Sequence, residues 1–212
     1  MFQILRKRWR NLSLKDIDIS KVTYFDLNNE INIPVNGQIQ LGKDKEALEA
    51  FLNENVKPNT KQFSSIKERI NYLIQNNYYE EEFISKYSFE FIEKLYDYLK
   101  KEDFHFKTFM AAYKFYAQYA LKTDDNAYYL ENFIDRVATN ALYFGDGDEK
   151  LALELADELI HQRYQPATPS FLNAGRKRRG ELVSCFLIQM TDDMNSIGRN
   201  INSALQLSRI GG

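Results

Sequence analysis

Cys185 is the only cysteine among the 212 residues, and its surroundings decide what its thiol can do. It stands in Ser184-Cys185-Phe186-Leu187-Ile188, an apolar run reached through the basic loop Arg176-Lys177-Arg178-Arg179-Gly180. A lone cysteine in such a run is most often a small buried hydrophobe without chemistry, because apolar surroundings leave a thiol inert. The stretch upstream argues for more. Pro166-Ala167-Thr168-Pro169-Ser170-Phe171-Leu172-Asn173-Ala174-Gly175 packs two prolines, two hydroxyls and a turn sequence into ten positions. Loops of this composition, set beside a strand, commonly present binding and catalytic groups. A thiol next to a hydroxyl there can enter radical or disulfide chemistry, but only with a second redox partner. The chain has no second cysteine, so that partner would come from another polypeptide segment.

The remaining polar clusters read as structural. Glu80-Glu81-Glu82 suits a solvated helix start, where the helix dipole favours negative charge. Gly145-Asp146-Gly147-Asp148 resembles a calcium loop only faintly. It lacks the ligand series and closing glutamate of an EF-hand and reads as a turn. His105 and His161 have no further ligand at metal-binding spacing, so no metal site is expected. The aromatic stripe Phe104, Phe106, Phe109, Tyr113, Phe115, Tyr116 and Tyr119 could stack bases, but its helical spacing fits core packing. Arg6, Lys7, Arg8 and Arg10 around Trp9 read as a solvated tail rather than as a phosphate-binding or membrane-touching arm.

These groups need elements to position them. Thr23 to Leu41 alternates apolar and polar residues around Asn36-Gly37, a type I′ turn signal, and predicts a small hairpin. From Asp44 to about Leu159 the period is helical. One helix ends before Pro58, and Ile66, Ile70, Leu73 and Ile74 mark the next. Phe89, Ile92, Leu95, Tyr96 and Leu99 mark a third, capped by Ser88. Further helices span Phe109–Leu121, Leu130–Tyr143 and Glu149–Tyr164, with a break at residues 145–148. Beyond His161 the character changes. Ser184–Ile188 reads as a strand. Met190-Thr191-Asp192-Asp193 is a turn in which Asp192 or Asp193 can cap a helix over Met194–Ser208. The expected fold is mainly α with a small N-terminal β-hairpin, and its C-terminal segment is the first strand–helix unit of an α/β architecture. Three regions follow: an extension over 1–22, a helical domain over 23–160, and an incomplete α/β segment over 161–212.

Bulk properties narrow the class. With 44% hydrophobic and 14% aromatic residues the chain is globular rather than disordered. A formal net charge of -2 gives no general pull toward nucleic acid or membrane. Nothing approaches the length of apolar run that a membrane span requires. A single cysteine suits a reducing cytoplasm. A strand at 184–188 without parallel partners, and a chain ending on Gly211-Gly212 after a helix, read as a sequence that has been cut.

Tyr164 to Leu187, quoted above, resembles the large (alpha) subunit of class Ib ribonucleotide reductase. The similarity continues through Gln206-Leu207-Ser208-Arg209-Ile210-Gly211-Gly212. It reaches back more loosely to about Tyr24, through Leu27-Asn28-Asn29-Glu30-Ile31, Tyr78-Tyr79-Glu80-Glu81-Glu82-Phe83 and Ala120-Leu121-Lys122-Thr123. It covers most of this chain but about the first third of the family's full length. The resemblance implies an N-terminal helical region followed by a ten-stranded α/β barrel. It implies reduction of ribonucleoside diphosphates by thiyl-radical chemistry, the radical coming from a separate metal-containing small (beta) subunit. Cys185 then matches the cysteine that reduces the ribose 2′ carbon and pairs in a disulfide with a second cysteine further along. Thr168 and Ser184, with Cys185, match contacts to the substrate diphosphate or ribose. Gly211 and Gly212 match the start of a glycine loop by the substrate. Asp192 matches the site of a nucleoside triphosphate effector at an alpha homodimer interface. A thioredoxin- or glutaredoxin-like reductant would restore the thiols.

The family's radical cysteine, its second disulfide cysteine and its catalytic Asn and Glu would all lie beyond Gly212. The chain alone is therefore expected to be inactive and to need a complementary C-terminal fragment. Two other readings stand beside this one: a non-catalytic regulatory or decoy fragment that binds the intact reductase, and an unrelated helical interaction domain with a structural cysteine.

Overall fold

The structure, a computed structural model, describes residues 23–210, with the side chain of Ile210 left aside. The extension over 1–22 and Gly211-Gly212 lie outside the described residues. The chain forms two compact units, each discontinuous in sequence. One takes the described part of Met1–Gln62 together with His105–Phe133. The other takes Phe63–Phe104 and Ile134–Gly212. Among the described residues the regular structure is helical, and β pairing is limited to isolated bridges.

The first unit is built on aromatic rings. It holds α1 (Tyr24–Glu30), α2 (Gly42–Phe51) and α3 (Phe109–Lys114). The last two each run on into a π-helical turn, Leu52–Val56 and Phe115–Tyr119. Those turns close with Lys57 N–H on the Leu52 carbonyl and Ala120 N–H on the Phe115 carbonyl, both at 2.9 Å. Phe51 and Phe109 sit edge-to-face at 5.7 Å, with Tyr24 at 5.2 Å from Phe51 and 5.9 Å from Phe109. Such pairs add about 0.5–1.5 kcal/mol each beyond the area they bury. The aromatic stripe is core: Phe109, Phe115 and Tyr116 are buried.

The hairpin expected over Thr23–Leu41 is corrected to its turn alone. Asn36 and Gly37 take positive φ of 53° and 77°. Val35 and Gln38 exchange hydrogen bonds of 2.9 and 3.1 Å. The residues before the turn are helical because Tyr24 and Phe25 must both reach Phe109, at 5.9 and 6.2 Å. A strand would send neighbouring side chains to opposite faces.

The second unit holds α4 (Ile66–Gln75), α5 (Glu81–Ile84), α6 (Phe89–Lys101), α7 (Phe133–Gly145), α8 (Glu149–Ile160), α9 (Thr168–Asn173) and α10 (Met194–Ile210). Ser88 Oγ accepts from the Phe91 N–H and caps α6, as its position in the sequence predicts. Phe91, Ile92, Leu95, Tyr96 and Leu99 form its buried face. The Gly145–Asp148 break is a tight turn, with positive φ at Asp146 and Gly147 and Asp148 capping α8. α7 is buried nearly all round. Its polar residues Asp135, Arg136, Thr139 and Asn140 are as hidden as Val137, Ala138, Ala141 and Leu142.

Two expectations change here. The Pro-rich stretch at 166–170 is not all loop, because Thr168–Asn173 winds into α9. Proline is welcome in a first helical turn, where no intrahelical donor is required. Ser184–Ile188 forms no strand, and it is exposed. A strand exists only by pairing, and no ladder lies beside this segment among the described residues. The α/β barrel expected from here on is thus not visible in residues 23–210. No helix of the described residues is long and apolar enough to cross a membrane.

Candidate functional site

α9 is held from two sides. On one side are side chains of the buried helix α7. The Asn140 amide donates to the Phe171 carbonyl at 3.1 Å, and the Arg136 guanidinium donates to the Ala174 carbonyl. The last carbonyls of any helix lack intrahelical donors, and α7 supplies them here from side chains that are 0% exposed. On the other side α9 holds the segment that leads to the thiol. Ser170 Oγ donates to the Leu182 carbonyl and Asn173 Nδ2 to the Glu181 carbonyl, both at 2.8 Å. Those carbonyls lie two and three residues ahead of Ser184.

The turn out of α9 is fixed by Gly175, whose φ is +71°. A Cβ there would stand 2.7 Å from Phe83 Cζ and 2.8 Å from Thr139 Cγ2. Only glycine fits both the backbone region and the space. The basic loop then docks along residues 76–80. Glu80 N–H meets the Gly175 carbonyl at 3.0 Å and Lys177 N–H the Tyr78 carbonyl at 2.9 Å. Arg178 lies over the Tyr78 ring at 5.5 Å and donates to the Asn76 carbonyl at 3.3 Å. Arg179 pairs with Glu80 at 3.2 Å. Glu80 at the head of α5 thus has a cationic partner, and this basic loop is an anchor rather than a free cationic surface.

The candidate residues fall as follows. Thr168 is the exposed first residue of α9. Ser184 and the Cys185 thiol are exposed on the segment that α9 holds. The buried-hydrophobe reading of Cys185 therefore fails in the described residues. Asp192 is exposed at the head of α10. The cap of that helix is Asp193, which accepts from the Ser196 N–H at 2.8 Å. The Thr191 hydroxyl and that N–H hold the Asp193 carboxyl below the usual carboxylate range. Gly212 lies outside the described residues. Asp146 pairs with Lys86, and Asp148 caps α8. Among the described residues no group of three or more His, Cys, Asp or Glu is placed to hold a metal ion.

Arg136, Asn140, Ser170 and Asn173 were not legible as site residues. A signal for the first two existed: a cation and an amide four residues apart, Arg136 and Asn140, interleaved with the apolar residues Val137, Ala138, Ala141 and Leu142. Beside them a second polar row is locked. Arg69 pairs with Asp135 at 2.9 Å and donates to the Tyr96 hydroxyl at 2.9 Å, and Thr139 donates to the Tyr79 hydroxyl at 2.9 Å.

Comparison with known proteins agrees with this architecture. Residues 24–104 match the ribonucleotide reductase N-terminal family, and residues 105–179 match the ribonucleotide reductase all-alpha domain. The chain is 49% identical over 189 residues to the ribonucleoside-diphosphate reductase subunit alpha of Bacillus subtilis, covering 89% of this chain and 27% of that protein. It is 50% identical over 189 residues to the nrdEB subunit alpha of Bacillus phage SPbeta, covering 89% of this chain and 17% of that one. With the alpha subunit of Mycoplasma genitalium it shares 51% over 166 residues, 78% of this chain and 23% of the relative. The chain therefore spans about a quarter or less of the length of these relatives, at their N-terminal end. With both N-terminal domains matched in succession over residues 24–179, the chain belongs to the ribonucleotide reductase family.

Proposed function

We propose that this chain is the N-terminal part of a cytoplasmic class Ib ribonucleoside-diphosphate reductase alpha subunit, and that residues 161–212 open its catalytic barrel. Cys185 is one half of the dithiol that reduces the ribose. In the balanced step the 2′ C–O bond breaks and its oxygen leaves as water. A C–H bond forms in its place. Two thiols lose two electrons and two protons and join as a disulfide. The second thiol belongs to the complementary C-terminal part. The metal-containing small subunit supplies the radical that starts the reaction, and a thioredoxin- or glutaredoxin-like protein reopens the disulfide. Thr168 and Ser184 hold the substrate by directed hydrogen bonds from hydroxyls. Gly212 belongs to the same set of substrate-binding residues. Asp192 accepts from a nucleoside triphosphate effector at an alpha homodimer interface.

The observation that carries the proposal is the lashing of Glu181 and Leu182 to α9. It keeps an exposed thiol on the one segment that starts from the Thr168 helix. Support comes also from Asp193 alone serving as the helix cap, which leaves Asp192 exposed for a ligand.

The test combines this chain with the remaining C-terminal part of the alpha subunit, the small subunit, a dithiol reductant and a nucleoside diphosphate. Deoxyribonucleoside diphosphate should form with the combination and not with the chain alone. Cys185→Ser should abolish product. Retained turnover in that variant removes the assigned role. Tight binding to an intact alpha subunit with no activity on combination favours the regulatory reading instead.

A further inference from the structure

The established family domains do not explain why α7 carries two buried polar side chains aimed at α9. We propose that Asn140 and Arg136 are positioning residues. They set the place of the Thr168 helix, and through it that of the Ser184-Cys185 segment. The proposal rests on the reading of Thr168 and Cys185 as substrate-facing.

The contacts form one continuous path. Asn140 Nδ2 reaches its own helix at the Arg136 carbonyl, 2.8 Å, and α9 at the Phe171 carbonyl, 3.1 Å. Arg136 reaches the Ala174 carbonyl. α9 then reaches the Glu181 and Leu182 carbonyls through Asn173 and Ser170. Asn140 is fully buried, and its Oδ1 has no hydrogen-bond partner among the described residues. A position that needed only packing would hold leucine, which fills similar space and buries no unsatisfied oxygen. The amide is there for its donor, and the donor serves the carbonyl of Phe171. Both contacts are made to backbone carbonyls, that of Phe171 in α9 and that of Ala174 at its C-cap. What is fixed is therefore the helix axis rather than any one of its side chains. Displacing a substrate group by about 1 Å is enough to change catalysis severely.

The experiment uses Asn140→Leu, in the full alpha subunit paired with its small subunit and in the present chain. In the full enzyme KM for the nucleoside diphosphate should rise about tenfold, and kcat should fall with it because the Cys185 segment moves too. In the present chain, amide hydrogen exchange should speed up over residues 168–184 and stay unchanged over α6. Arg136→Met, close in volume and without the guanidinium, should do the same. An unchanged KM, or faster exchange spread evenly through α6, α7 and α8, overturns the positioning role. So does loss of the cooperative melt in both variants, which would make these residues structural alone. Thr168→Ala separates the two ideas. If it leaves KM intact while Asn140→Leu still loosens residues 168–184, the substrate reading fails and the clamp stands.

Discussion

Gly175→Ala should be strongly destabilising. Two costs add. Alanine at φ +71° enters the left-handed region, at about 1–2 kcal/mol. The new methyl also meets Phe83 Cζ at 2.7 Å and Thr139 Cγ2 at 2.8 Å, and forcing a methyl into a packed core costs about 1–3 kcal/mol. The total of about 2–5 kcal/mol compares with a whole-domain stability of about 5–15 kcal/mol. For a chain of this size that corresponds to a fall in Tm of roughly 4–20 °C. Gly147→Ala isolates the backbone cost. Its φ is +96°, but the nearest atom to its Cβ is Lys86 Cβ at 3.4 Å, so it should lose only about 1–2 kcal/mol. Thr139→Ser supplies a second control, because it removes Cγ2 while keeping the hydroxyl that donates to Tyr79. In the Gly175→Ala background it should restore part of the loss, giving a coupling of about 0.5–3 kcal/mol. The assay is urea and thermal unfolding of the wild type, the three single variants and the Gly175→Ala/Thr139→Ser double variant. If Gly175→Ala loses no more stability than Gly147→Ala, the claim that this turn is locked by its neighbours is wrong.

Asp193→Ala should remove the α10 cap and cost about 1 kcal/mol of helix stability, read as lost helicity by circular dichroism. Asp192→Ala should cost nothing measurable, and equal losses would refute the cap assignment. The Tyr98 hydroxyl, bonded to Asp157, and the buried Tyr129 hydroxyl are both pushed up to about 12. Unfolded phenols ionise near 10, so above that pH the unfolded state holds fewer protons than the folded one. Stability is therefore complete below pH 10 and falls between about 10 and 12. Tyr98→Phe should shallow that alkaline limb. Phenolate absorbance of the folded protein rising entirely near pH 10 would contradict the assignment. The Cys185 thiol should be labelled by a thiol reagent in the native chain within about threefold of its rate in urea. Protection of a hundredfold would show the segment to be covered.

What the sequence carried was what local physics decides. α6 could be read from the spacing of Ile92, Leu95, Tyr96 and Leu99 and from Ser88, because cap and buried face are both set within one turn of their own residues. The 145–148 break and the Asn36-Gly37 turn were legible for the same reason. Tyr24–Glu30 was not, since its alternation is also compatible with a strand, and contacts to Phe109, more than eighty positions away, decide for helix. Ser184–Ile188 failed in the opposite sense. Its composition is that of a strand, but a strand is a property of two segments, and a period of two identifies only one of them. α9 was hidden by Pro166 and Pro169, which mark a loop to the eye and a helix start to the backbone. The buried row on α7 was hidden because polar residues on a helix are assigned to solvent unless something in the chain shows that both faces are covered.

That row explains how a helical unit can hold a loop in place. Asp135 and Thr139 lie one turn apart on α7, as do Arg136 and Asn140, and the two pairs are offset by a single residue. On a helix a one-residue offset turns the direction by about 100°. The first pair therefore faces Arg69 and Tyr79, binding α7 to α4 and to the segment that follows it. The second faces the carbonyls at the end of α9. The first pair is internally compensated, charge against charge with hydroxyls completing the shell, so it makes α7 hard to rotate or shift. Breaking such a buried pair by removing one partner costs about 3–5 kcal/mol. A helix pinned in that way is a fixed reference for whatever its other row touches. The donors on that row make no use of side-chain identity in α9, so substitutions among the exposed residues of α9 leave its position alone. The position of the Thr168 helix is then set by residues about thirty positions upstream, on α7.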